Sequence, residues 1–159
     1  MYTTPLEKRI TKYVQKFGIK HAYLQKEGFS YFPNTQTVKF SIRTFDEDNL
    51  LIKFIEEKYD VDISDWYFIF SLLHEIGHHK TLPHLSITDR LGDIYQRVHV
   101  LPLLEDSARS YAYFNLYTET LADEWAINYI ETHPKECWEF QRKCVSVMQH
   151  MYKKKSFKF

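Results

Sequence analysis

Apolar positions recur along this chain at two spacings, and the spacings divide it into helices and strands. Leu6, Ile10, Tyr13, Val14 and Phe17 share one side of a helix. Thr4-Pro5-Leu6-Glu7 opens that helix with a capping residue, a proline at the first helical position and a capping-box carboxylate, and Gly18 stops it. Residues 19–25 and 29–32 read as extended, with Gly28 between them. After a turn at Pro33-Asn34, Thr37-Val38-Lys39-Phe40-Ser41-Ile42-Arg43 alternates with the period of a half-buried strand. Residues 47–59 form a helix buried through Leu50, Leu51, Phe54 and Ile55.

The second half is helical throughout. Ser64 caps a helix in which Ile69, Leu72, Leu73 and Ile76 make one apolar stripe, while Phe70, His74 and His78 share another face. Ser86 and Asp89 open a short helix through Leu91, Ile94, Tyr95 and Val98, expected either as a cleft wall or as plain packing. Asp106-Ser107 and His133-Pro134 delimit one long helix, and residues 135–152 carry Cys137, Phe140, Cys144, Met148 and Met151 on a core-facing side. The fold expected is α+β: one helix-rich domain over residues 1–159, with a small antiparallel sheet beside the helix that contains His74.

That helix carries the chemistry. In His74-Glu75-Ile76-Gly77-His78 the two histidines stand one helical turn apart and reach toward a single metal ion, with Glu75 one step around, near enough to take a proton from the attacking water. A tetrahedral zinc site needs a third protein ligand and an open fourth position. Glu119, in Thr118-Glu119-Thr120-Leu121-Ala122-Asp123-Glu124-Trp125-Ala126, is the best candidate, with Asp123 one turn further on the same face to accept the free ring N–H of a ligating histidine, His74 in particular. Ala122 and Ala126 are small enough to let this helix approach closely opposite Gly77. Tyr113, Tyr117 and His99 are all candidates to stabilise the anionic intermediate, and the sequence does not choose among them.

HEIGH followed by ETLADEWA resembles the zinc peptidases of the ImmA/IrrE type, in which HExxH precedes a Glu ligand within an E-x-x-A-x-x-F-A-like segment, and the E-x-x-x-D arrangement is shared by the wider gluzincin set. The resemblance covers about a tenth of the chain. It implies His74, His78 and Glu119 as ligands of Zn2+, Glu75 as general base, and a small zincin-like fold with a sheet edge beside the active-site helix. Trp125 stands where the family often has Phe. Family members often carry a helix-turn-helix domain or are encoded beside a repressor that they cleave, so the resemblance implies a regulatory protein such as a repressor as a substrate; no segment of these residues reads as a helix-turn-helix domain. His84 offers a competing third ligand at the metzincin spacing, but Thr81 occupies the position where those enzymes turn on a Gly, and Met148 and Met151 fall in a helix rather than in a turn beneath the metal. His79 is read as part of a surface loop.

Composition narrows the picture. Lys and Arg number 21 against 21 Asp and Glu, which argues against nucleic acid as the main partner, and Lys153-Lys154-Lys155 with Lys158 read as a solvated tail. The N-terminal residues are polar and no apolar run is long enough to span a bilayer, so a cytoplasmic protein with no membrane partner is expected. Cys137 and Cys144, too far apart along one helix for a disulfide, read as buried thiols in a reducing compartment. Two readings of function follow: a zinc peptidase acting on a protein or peptide, or a zinc-bearing regulatory or interaction protein that recognises a partner through the same cleft without cutting it.

Overall fold

A computed structural model describes residues 4–42 and 50–156, with the side chains of 152–156 excepted. Arg43 of the expected third strand, residues 47–49 of the expected helix and the lysine side chains of the C-terminal tail lie outside the described residues.

Helix α1 (Pro5–Gln15) begins as its capping signals require: Thr4 Oγ1 accepts the Glu7 N–H, and Glu7 Oε2 accepts the Thr4 N–H at 2.7 Å. The other oxygen, Oε1, accepts the backbone N–H of Leu24 at 2.9 Å, so one carboxylate ties the helix start to the first strand. Gly18 ends the segment with φ at +95°, a conformation that glycine tolerates and other residues rarely adopt.

Strands β1 (His21–Leu24), β2 (Ser30–Phe32) and β3 (Thr37–Phe40) form a mixed sheet in the order β1-β3-β2. β2 and β3 are antiparallel across the Pro33–Gln36 turn, but β1 pairs with β3 in parallel, His21 opposite Thr37 and Leu24 opposite Phe40. The expected purely antiparallel sheet is therefore corrected. Two chain reversals, at 25–29 and at 33–36, restore the direction of β1 in β3, and β1 adds to the far side of β3 instead of pairing with β2.

α2 (Leu50–Tyr59) buries Ile55 completely and packs Leu51 and Phe54 against the core, whereas Leu50, expected inside, is 68% exposed at the helix start. α3 (Tyr67–Thr81) runs through the centre of the molecule, with Ile69, Leu72, Leu73 and Ile76 fully buried. Ser64 does not cap it. Its hydroxyl and N–H both turn to Asp62 Oδ1, and a 3-10 turn over Ser64–Trp66 leads into the helix instead. α3 continues past His79, which is helical rather than in a loop; its Nδ1 meets the Tyr31 hydroxyl at 2.6 Å.

α4 (Ile87–Tyr95) is capped by Ser86 as expected, and its last turn passes into a π-helical stretch, Gln96–Val100. Its apolar residues face outward, as described below. The long helix expected over 106–133 is two helices, α5 (Asp106–Phe114) and α6 (Tyr117–Thr132). The Asn115 side chain donates to the Tyr111 carbonyl at 3.0 Å, and Leu116 takes an extended conformation with ψ at 144°, which breaks the run and restarts it. Glu119 thereby falls in the first turn of α6, where the helix dipole favours an anion. α7 (Pro134–Ser156) closes the core with Cys137, Cys144 and Met148 buried, and both cysteines are free. Among the described residues no helix is long and apolar enough to cross a membrane.

Candidate metal centre

Gly77 governs how closely α3 and α6 approach. A Cβ built on it would lie 2.7 Å from the carbonyl oxygen of Ala122 and 2.9 Å from its Cα, so the backbone of α6 lies directly on that of α3 with no side chain between. This contact brings together residues 40 or more positions apart in sequence. His74 Nε2 lies 3.0 Å and His78 Nε2 3.4 Å from Glu119 Oε2, and one donor atom from each of the three residues falls within 4.8 Å of the others. Asp123 Oδ1 accepts the Nδ1–H of His74 at 2.7 Å, the partnership expected from the spacing. Asp123 is in turn held by the Tyr59 hydroxyl, which donates to Oδ2 at 3.3 Å.

The hydrogen bonding of His74 fixes what the group can hold. With Nδ1–H given to Asp123, a neutral His74 presents a bare lone pair from Nε2 toward a carboxylate oxygen, and two lone pairs 3.0 Å apart repel unless a cation lies between them. A proton or a metal ion answers that requirement. In the proton-bound state, burial opposes charge on His74, but the hydrogen bonds it donates to Asp123 and Glu119 raise its pKa to about 10. Burial likewise opposes ionisation of Glu119, and the two histidines outweigh it and hold the carboxyl well below its ordinary range. Glu75 moves the other way: burial pushes it above the ordinary carboxylate range, although His74, His78 and the backbone N–H of Tyr31 all favour its ionised form.

A cleft of about 390 Å³ opens beside the group, lined by Tyr31 from β2, Glu75 and His78 from α3, Ile94 and Arg97 from the α4 region, and Tyr113 and Glu119. β2 is an edge strand, and the Tyr31 N–H points away from β3 to Glu75. A second, smaller cavity of about 170 Å³ shares Glu75, Tyr113 and Glu119 with this cleft and is lined further by His74, Phe70 and Ser71. Of the three residues proposed for stabilising an anionic intermediate, Tyr113 alone lines the cleft; Tyr117 is 52% exposed and His99 lies exposed on the π-helical stretch. His84, the alternative third ligand, is exposed in the 3-10 turn Leu82–His84 and lies outside the donor group.

Three participants were not visible from the sequence. Arg97 Nη2 donates to Glu119 Oε1 at 2.7 Å and to Thr118 Oγ1 at 3.0 Å, while its Nε donates to Asp93 Oδ2 at 2.6 Å. Thr118 in turn donates to Asp93 Oδ1 at 2.6 Å. Asp93 and Arg97, four apart on a helical pattern, have the ordinary appearance of a solvated surface pair. No family model matches the chain, and no curated protein or solved structure does.

Proposed function

We propose that this chain is a zinc-dependent peptidase of the ImmA/IrrE type, cutting a protein or peptide substrate such as a regulatory protein, with His74, His78 and Glu119 as metal ligands and Glu75 as general base. The convergence of the three donors carries this reading. Ligands about 2.05 Å from a tetrahedral ion lie about 3.3 Å apart, and the two separations from Glu119 Oε2, 3.0 and 3.4 Å, bracket that distance. Two imidazoles and one carboxylate are a donor set that suits zinc, and the Asp123 hydrogen bond leaves His74 Nε2 as the ligating nitrogen.

When bound, zinc would lower the pKa of water toward neutrality and polarise the scissile carbonyl. The remaining work belongs to the protein. Glu75, with its pKa raised by burial, is suited to accept the proton of the attacking water and return it to the departing amine. The phenol of Tyr113, on the cleft wall beside Glu119, is the hydrogen-bond donor we assign to the developing oxyanion. The outer edge of β2 faces the cleft through Ser30 and Tyr31, so an extended substrate can lie along it with its scissile carbonyl over the group formed by His74, His78 and Glu119.

The test has two stages. Metal analysis of the purified protein should find one zinc per chain, lost in His74→Ala, His78→Ala and Glu119→Ala; unchanged zinc in Glu119→Ala would move the third ligand toward His84. Metal-loaded protein should then cleave candidate protein partners, read by mass spectrometry, while Glu75→Gln keeps its zinc and leaves them intact. Partner binding without cleavage by the wild type would favour the zinc-bearing interaction protein instead.

A further inference from the structure

α4 and the π-helical stretch after it present an unusual face to the rest of the protein. Ile87, Leu91, Ile94, Tyr95 and Val98 recur at the spacing of a core-facing stripe, yet they are between 54% and 78% exposed. Asp93 and Arg97, the polar positions of the same segment, turn inward toward α6. The π-helical register over Gln96–Val100 is itself rare and occurs mostly as single-turn insertions, frequently at functional sites. It begins at the turn that supplies Arg97.

The inward pair forms a closed set of bonds. Asp93 accepts from Arg97 Nε through one oxygen and from Thr118 Oγ1 through the other, each at 2.6 Å. The guanidinium lies over the Tyr113 ring, 5.1 Å from its centre, so its plane is fixed by an aromatic face as well as by hydrogen bonds. From that position Nη2 donates to Glu119 Oε1 at 2.7 Å, while Oε2 of the same carboxylate faces both histidines. The two oxygens of Glu119 therefore have different partners.

We propose that Arg97 is a positioning residue for the metal site, holding Glu119 Oε1 so that Oε2 alone is available to the cation, with Asp93 and Thr118 fixing Arg97 in turn. The inference rests on the zinc-site reading. A carboxylate free at both oxygens can rotate to donate through both, which would fill the coordination position that substrate and water need. Arg97 prevents the rotation and thereby keeps that position open. Partners of this kind around a ligand typically account for a 10–100-fold effect on metal affinity.

The experiment uses the full chain loaded with zinc or with cobalt(II). Arg97→Met keeps the length of the side chain and removes the fork; it should weaken zinc, measured by competition with a chromophoric chelator, by about 10–100-fold. In the cobalt protein the visible bands should lose intensity, as expected when a four-coordinate ion gains a fifth donor. Arg97→Lys, which keeps the charge but not the paired donors, should recover affinity in part and leave the weakened bands. Asp93→Asn, a milder change, should shift both readouts in the same direction and stands in for Arg97→Met if that variant does not fold. Wild-type zinc affinity and an unchanged cobalt spectrum in folded Arg97 or Asp93 variants would overturn the positioning role while leaving the zinc site standing. A wild-type protein that binds neither metal would overturn both.

Discussion

Gly77→Ala is the substitution that most directly tests whether the contact between α3 and α6 builds the site. By helix propensity alone it should stabilise, because alanine in a helix interior is favoured over glycine by about 1 kcal/mol. The structure reverses the sign. The added Cβ would lie 2.7 Å from the Ala122 carbonyl oxygen, 2.9 Å from its Cα and 3.2 Å from its carbonyl carbon, all backbone atoms that cannot rotate aside. Restoring about 3.4 Å at the carbonyl requires α6 to move by about 0.7 Å, and overpacking of this kind costs roughly 1–3 kcal/mol. Set against the propensity gain, a net loss of up to about 2 kcal/mol, read as a lower urea midpoint at unchanged m, is the expected result. The same shift carries Glu119 and Asp123 away from His74 and His78. Metal sites tolerate departures of about 0.2 Å in ligand distance, so zinc affinity should fall by at least about tenfold in the same variant. A Gly77→Ala protein as stable as wild type, binding zinc equally well, would refute the argument that backbone contact at this residue sets the site.

Other consequences follow from single side chains. Ser71 Oγ is buried beside the smaller cavity with no hydrogen-bond partner among the described residues, so Ser71→Ala should raise the urea midpoint, by about 1 kcal/mol in stability, and a loss instead would show that the hydroxyl is satisfied. Glu7→Ala removes the return bond of the α1 capping box and the tie to β1 and should cost about 2 kcal/mol by the same measurement. Burial raises the Cys137 and Cys144 thiols to about 11 and about 12 from an ordinary 9.0, so the neutral folded form gains stability that is complete below pH 9 and lost as pH rises toward 11 and 12. The urea midpoint should therefore fall above pH 9, less steeply in Cys144→Ala than in wild type; parallel slopes would show that this thiol does not titrate with unfolding.

The sequence carried the local elements and the candidate ligands but not their partners. Thr4 and Glu7 announce α1 because a capping box is a contact between neighbours, and the same holds for Ser86 at α4. His74, His78, Glu119 and Asp123 were legible because each pair lies one turn apart on a helix, so the period alone aligns them. The break between α5 and α6 was not, since Asn115 and Leu116 differ little from helix-compatible residues until Leu116 finds a buried place outside the helix. Nor was the parallel pairing of β1 with β3, which depends on which side of the β2–β3 hairpin the first strand joins.

The orientation of α4 shows why the period of a stripe does not reveal the direction it faces. Rotating the segment to bury its five large apolar residues would gain roughly 1.5–3 kcal/mol for each one fully covered. Against this, the rotation would withdraw Arg97 and leave Glu119 Oε1 without its partner in a side chain only 5% exposed, at a cost of about 1–3 kcal/mol or somewhat more for an ionised group. On stability alone the apolar side should win, yet the charged side faces inward. The observed direction is the one that meets the requirement of Glu119 Oε1 for a partner, against the preference of the apolar residues. In the sequence that requirement leaves only an acid and a base four residues apart, the same trace as a surface ion pair with no function.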